Sequence, residues 1–171
     1  MKRISRWLLI LAATILPVIS TFGYRYFTDW RHTVVIRLER MGCYGFCPIY
    51  DVTIYENGNV TYRGHKFVDL IGKRTTNIGE SRAQQLTAYI QRANYFSLSD
   101  RYDDDYASDL STAVTFVRIG GREKRIYHYH GSGADPIELF DIEQAIDEAT
   151  DSQHWTGRPP LEISPPGFWA R

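Results

Sequence analysis

Residues 49–64, IYDVTIYENGNVTYRG, constrain the fold of this chain more than any other stretch. Tyr50, Val52 and Ile54 recur at every second position, the period of a strand with one buried face. Asn57-Gly58 offers the positive φ angles of a tight turn, and Val60 and Tyr62 return alongside, so the stretch predicts a β-hairpin.

The flanking sequence supplies more of the same sheet. In TVVIRLER (33–40), Val34, Ile36 and Leu38 alternate with Val35, Arg37 and Glu39, which predicts a half-buried strand. GKRTTNI (72–78) reads as an exposed fourth strand. TAVTFVRIGGREKRIYHYH predicts a second hairpin turning at Gly120-Gly121, with Val114 and Phe116 leading in and Ile126 and His128 leading out.

Two helices separate and follow these strands. One starts near Ser81, where Ser81 and Gln84 have the spacing of a capping box. Ala83, Leu86, Ile90, Ala93 and Phe96 form its apolar stripe. The other opens with Asp135 as cap, Pro136 in the first turn and Glu138 reaching back, and buries Leu139, Ile142, Ile146 and Ala149. The order β-β-β-(β)-α-β-β-α predicts an α+β fold, an antiparallel sheet of five to six strands with both helices on one face. The domain occupies 32–156, and the Pro-rich stretch 157–171 follows as a tail without regular structure.

The first 31 residues read differently. Lys2, Arg3 and Arg6 precede a stretch that carries no charge from Trp7 to Phe22, the layout of a secretory signal or an N-terminal membrane anchor. The stretch is somewhat shorter than the roughly 20 residues of a comfortable span. Tyr24, Tyr26, Phe27 and Trp30 supply aromatic residues for the far interface. The expectation is an anchor through residues 7–22 with the domain on the periplasmic side, or release to the periplasm if the segment is cleaved. Formal net charge is zero, which argues against nucleic acid as a partner.

Both cysteines of the chain, Cys43 and Cys47, fall in MGCYGFCPIYD. Extended backbone would hold their α-carbons about 13 Å apart, beyond the reach of a disulfide, so bridging demands a turn, which Gly45 and Pro48 permit. Outside the cytoplasm such neighbours oxidise, and a structural disulfide is the favoured reading. Thiol–disulfide exchange is the alternative, though it commonly uses two intervening residues at a helix N-terminus, and here there are three and a strand follows. Metal binding by the pair is the third option.

Other candidate groups are thinner. His128 and His130 share a strand face, a spacing found in metal sites, but no Asp, Glu or Cys lies at a fixed offset to complete a set. They read first as a strand end and only secondarily as metal ligands. Asp100, Asp103, Asp104, Asp105 and Asp109 crowd one loop without the pattern of a calcium loop. No phosphate-binding glycine loop and no nucleophile elbow occurs, so no cofactor and no catalytic residue is assigned, and an enzymatic role is disfavoured.

Cys43, Tyr44, Gly45, Cys47, Pro48, Tyr50, Gly58 and Tyr62 together resemble the signature of a bacterial exported domain family of unknown function. That family carries a Cys-Tyr-Gly-x-Cys-Pro-x-Tyr motif, and the resemblance covers roughly 34–156. It implies an envelope location and the extent of the domain, and no reaction. The expected function is therefore a non-catalytic binding module in the cell envelope. Its partner would be an envelope protein or surface component, met through Tyr44 and Phe46 at the tip of the cysteine turn. A thiol–disulfide redox protein using Cys43 and Cys47 is the alternative.

Overall fold

The computed structural model describes residues 33–103, 108–133 and 135–157. The expected anchor (1–31), Asp104, Asp105 and all of the expected tail except Gly157 lie outside the described residues. Among the described residues, no helix is long and apolar enough to cross a membrane.

The fold is mixed α+β. Among the described residues, seven strands form one sheet: β1 (Val34–Arg40), β2 (Ile49–Tyr55), β3 (Asn59–Lys66), β4 (Gly72–Asn77), β5 (Arg101–Tyr102), β6 (Thr112–Ile119) and β7 (Arg122–Tyr129). Three helices accompany them: α1 (Glu80–Arg92), α2 (Ile137–Thr150) and the short α3 (Gln153–Thr156). The strand order is β4-β3-β2-β1-β6-β7-β5, so β1 is central. Neighbours are antiparallel except β5, which runs parallel to β7.

The expected count of five to six strands and two helices therefore falls short by β5 and α3, and the sheet is not purely antiparallel. The miss is physical. β5 pairs only Arg101 with Tyr127 and Tyr102 with His128, too short a strand to show any periodicity.

The register places Ile36, Leu38, Val52, Ile54, Val60, Tyr62, Ala113, Val117 and Ile126 on one face. There they share a buried cluster with Ala83, Leu86 and Ile90 of α1 and Leu139, Ile142, Ile146 and Ala149 of α2. In β6 the core face is Ala113, Thr115 and Val117, because these lie opposite His128, Ile126 and Lys124. Val114 and Phe116 point to the other face.

Two hairpins use different turns. Gly120 and Gly121 have φ of +58° and +78° and join β6 to β7 with two residues, as the mirror-image turn requires. Between β2 and β3 three residues intervene, and of Asn57 and Gly58 only Gly58 takes a positive φ, of +78°. The Gly58 amide donates to Tyr55 O at 2.9 Å, the pattern of a type I turn followed by a left-handed residue. Gly58 is needed for a second reason: a Cβ there would lie 2.4 Å from the carbonyl carbon of Gly79, which leads into α1.

Neither expected helix cap forms. α1 begins at Glu80, one residue earlier than the Ser81 box, so the Ser81 and Gln84 side chains bond within the helix, to Gln85 and Glu80. α2 begins after Pro136, and the Asp135 carboxylate is drawn to His128 instead of to the helix amides.

Candidate functional site

The site is built on a rung that crosses all seven strands. Gly72, Gly64, Tyr50, Arg40, Ala113, His128 and Tyr102 stand opposite one another in turn, from β4 to β5. The rung sits at the end of the sheet where residues 41–48, 67–71, 108–111 and 130–133 lie. Buried Glu143 and Asp147, one turn apart on α2, lie over it.

Arg40 ties the two acids to the central strand. Its Nη1 donates to Glu143 Oε2 at 2.6 Å, and its Nη2 and Nε donate to Asp147 Oδ2 at 2.9 and 3.2 Å. The Tyr50 hydroxyl donates to Asp147 Oδ1 at 2.7 Å, and Ser152 Oγ does so at 2.8 Å. Glu143 reaches the histidines with both oxygens: Oε1 lies 2.6 Å from His128 Nδ1, and Oε2 lies 2.9 Å from His130 Nε2. The far nitrogens are held as well. His128 Nε2 is 3.0 Å from Asp135 Oδ2, and His130 Nδ1 is 3.0 Å from Ser111 Oγ. Phe140 lies against both rings, with centroids 4.5 and 5.0 Å away.

Burial would drive the Glu143 carboxyl towards its neutral form, but the Arg40 charge and the bonds from His128 and His130 win, holding it at about 2. Burial likewise opposes the charged form of His128. The bond to Glu143, the Glu143 charge and then Asp135 outweigh it, so the imidazole pKa is raised. Both His128 nitrogens face carboxylates, an arrangement that suits two N–H donors. Tyr50, buried beside Asp147, is pushed well above the ordinary phenol range.

Tyr62 is the contrasting neighbour. Its ring lies between Tyr50 and Trp155, at centroid distances of 5.6 and 4.8 Å, and its hydroxyl is buried with no hydrogen-bond partner among the described residues.

The cysteine turn sits just beyond the rung. Cys43 and Cys47 are joined in a disulfide with a Cα–Cα separation of 5.7 Å. The turn is tied down by Tyr44 N donating to Asp109 O at 3.2 Å and by Met41 N donating to Thr112 O at 2.8 Å. The bonded pair lies in a connection between two strands and not at a helix N-terminus. Tyr44 and Phe46 project from it, 88% and 71% exposed, and Met41, Ile71 and Leu110 are exposed in connections at the same end of the sheet. The Phe46 ring meets Phe67 edge-on at 5.2 Å.

Of the residues singled out from the sequence, His128 and His130 therefore converge with each other, and the cysteines bond. Tyr44 and Phe46 share one exposed tip. Asp100 pairs with Lys124 at 2.8 Å and Asp103 with Arg101, so these two loop acids serve ion pairs, while Asp109 holds the cysteine turn through its carbonyl. Sequence reading missed Glu143, Asp147 and Arg40. A signal was present: Glu143 and Asp147 follow buried Leu139 at four-residue steps, which puts two acids on the inward stripe of α2.

Residues 34–150 match the family model of a domain of unknown function, DUF6438, a span that contains the cysteine turn and all of the polar cluster except Ser152. No curated protein matches the chain.

Proposed function

This chain belongs to the DUF6438 family, a domain of unknown function, and we propose that it is an exported, membrane-anchored, non-catalytic module that binds a protein partner in the bacterial cell envelope. The contact surface is the tip of the cysteine turn. The observation that carries the reading is the pairing of high exposure with firm support at Tyr44 and Phe46. Large aromatic side chains are seldom left in water without a role. When the backbone beneath them is closed by a disulfide and tied to a neighbouring strand, little ordering entropy remains to be lost on binding. Tyr44 adds a hydroxyl to an apolar ring, the combination favoured at protein contact centres. Met41, Ile71 and Leu110 add exposed apolar side chains in the connections at that end of the sheet.

Export is supported by the basic-then-apolar N-terminal sequence and by the disulfide geometry of Cys43 and Cys47, since disulfides persist in oxidising compartments. A photo-crosslinking side chain at position 46, in the full-length protein in its native membrane, tests the surface. The reading expects one discrete protein adduct that is lost in a Tyr44→Ser background and absent when the same group is placed at exposed Gln85 on α1. Equal labelling from both positions, or no adduct from position 46, would refute it.

A further inference from the structure

We propose that His128, His130 and Glu143 form a binding site for a divalent transition-metal ion of the zinc class. The inference is independent of the partner surface and rests on three features of the buried cluster.

The first is the donor set. One donor atom each from His128, His130 and Glu143 lie within 4.8 Å of one another, with His128 Nδ1 and His130 Nε2 the nitrogens that face Glu143, and two imidazoles with a carboxylate are ligands zinc takes readily.

The second is the outer support. Each histidine is held by a partner at its far nitrogen, His128 by Asp135 and His130 by Ser111, and Glu143 is held by Arg40 at Oε2, the oxygen that also faces His130. Metal-bound histidines characteristically donate their other N–H to a carboxylate or similar oxygen, which fixes the tautomer and aims the lone pair at the ion. Once the ion displaces the proton between Nδ1 and Glu143, donation from His128 Nε2 to Asp135 keeps the ring aimed at the metal. Donation from His130 Nδ1 to Ser111 does the same for the His130 ring.

The third is charge. Asp135, Glu143 and Asp147 bring three carboxylates against the single guanidinium of Arg40. A buried cluster so rich in carboxylates suits a divalent cation.

Loading requires a small adjustment. Bonds of 2.0–2.1 Å at tetrahedral angles separate donor atoms by about 3.4 Å. His128 Nδ1 and His130 Nε2 stand 2.6 and 2.9 Å from the Glu143 oxygens, so both rings move outward slightly as the ion replaces the protons between them. Three protein ligands leave a further position for water or for a donor atom from outside the chain.

The test uses full-length, untagged protein stripped with a chelator, then titrated with Zn²⁺ by calorimetry and with Co²⁺ by absorbance. One equivalent should bind, with the visible bands of low-coordinate Co²⁺. Long-range ¹H–¹⁵N spectra should show Zn²⁺ moving the imidazole signals of His128 and His130 and leaving those of His32, His65 and His154 in place. Asp135→Asn should weaken binding about 10- to 100-fold, as loss of an outer partner does, and His130→Gln should abolish stoichiometric binding in protein whose circular dichroism is unchanged. Absence of stoichiometric binding in the wild type, movement confined to the other histidines, or wild-type affinity in folded His130→Gln would each overturn the proposal. The wild-type spectra decide the matter should either variant not fold.

Discussion

Replacing Arg40 by Met is the most informative single perturbation of this fold, because it removes the cation and retains most of the side chain's length. Arg40 bonds Glu143 and Asp147, whose side chains are 1% and 7% exposed. Its loss leaves two buried carboxylates without their guanidinium, a class of change that costs about 3–5 kcal/mol. A second route to the magnitude agrees. The Glu143 carboxyl is held at about 2 against an ordinary 4.5, with Arg40 as the first of the groups that overcome burial, and that difference corresponds to about 3 kcal/mol at neutral pH. Urea unfolding of chelator-treated protein at pH 7 should therefore show the midpoint falling by about 2 M for a slope of about 2 kcal/mol per M.

The pH dependence has a definite sign. A carboxyl whose folded pKa is depressed contributes stability that is fully present above its unfolded pKa and is lost as pH falls through the folded one. The wild type should thus lose about 3 kcal/mol between pH 4.5 and 2, and Arg40→Met should lose much less over the same window. Combined with Glu143→Gln, the two losses should fall short of their sum by about 1–3 kcal/mol. A cost below about 1 kcal/mol at pH 7, or a penalty unchanged at pH 2, would refute the reasoning.

Other expectations follow from particular contacts. Tyr50→Phe deletes a hydroxyl that donates to a carboxylate and should cost about 1.5–3 kcal/mol, whereas Tyr62→Phe deletes a buried hydroxyl with no hydrogen-bond partner among the described residues and should be neutral or slightly stabilising. Paired thermal melts read the difference directly. Gly58→Ala meets both a positive φ and the backbone of Gly79 and should cost clearly more than Gly121→Ala, which has the positive φ alone and should cost about 1–2 kcal/mol. Denaturant midpoints of the two variants rank them. Cys43→Ser with Cys47→Ser opens a loop of about five residues and should lower stability by about 2 kcal/mol while the sheet persists by circular dichroism.

Much of this architecture was legible because alternation and helical spacing leave a direct trace. Tyr50, Val52 and Ile54, and Leu139, Ile142 and Ile146, are core residues that announce themselves by period alone. The β2–β3 turn was misjudged in detail because Asn-Gly pairs serve two-residue and three-residue turns alike, and only the register tells them apart. Ser81 and Asp135 carried the right chemistry for helix caps. One lost the role because α1 starts a residue early, the other because His128 offered its carboxylate a stronger partner than backbone amides. The site was half visible. His128 and His130 are neighbours in sequence, but their completing groups come from β1 and α2, and a buried acid such as Glu143 is paired only once the helix lies on the sheet. Long-range ion pairs leave no local pattern, so nothing in TVVIRLER singles out Arg40.

The claim that binds these parts together is that Cys43 and Cys47 brace a contact surface and do not exchange electrons. Equilibrating the folded protein in glutathione buffers of graded potential, then counting free thiols by alkylation and mass, tests it most directly. A bracing pair stays oxidised down to about −300 mV, as structural disulfides of exported proteins do. Full reduction near about −200 mV, in the range of thiol–disulfide exchange proteins, would contradict it.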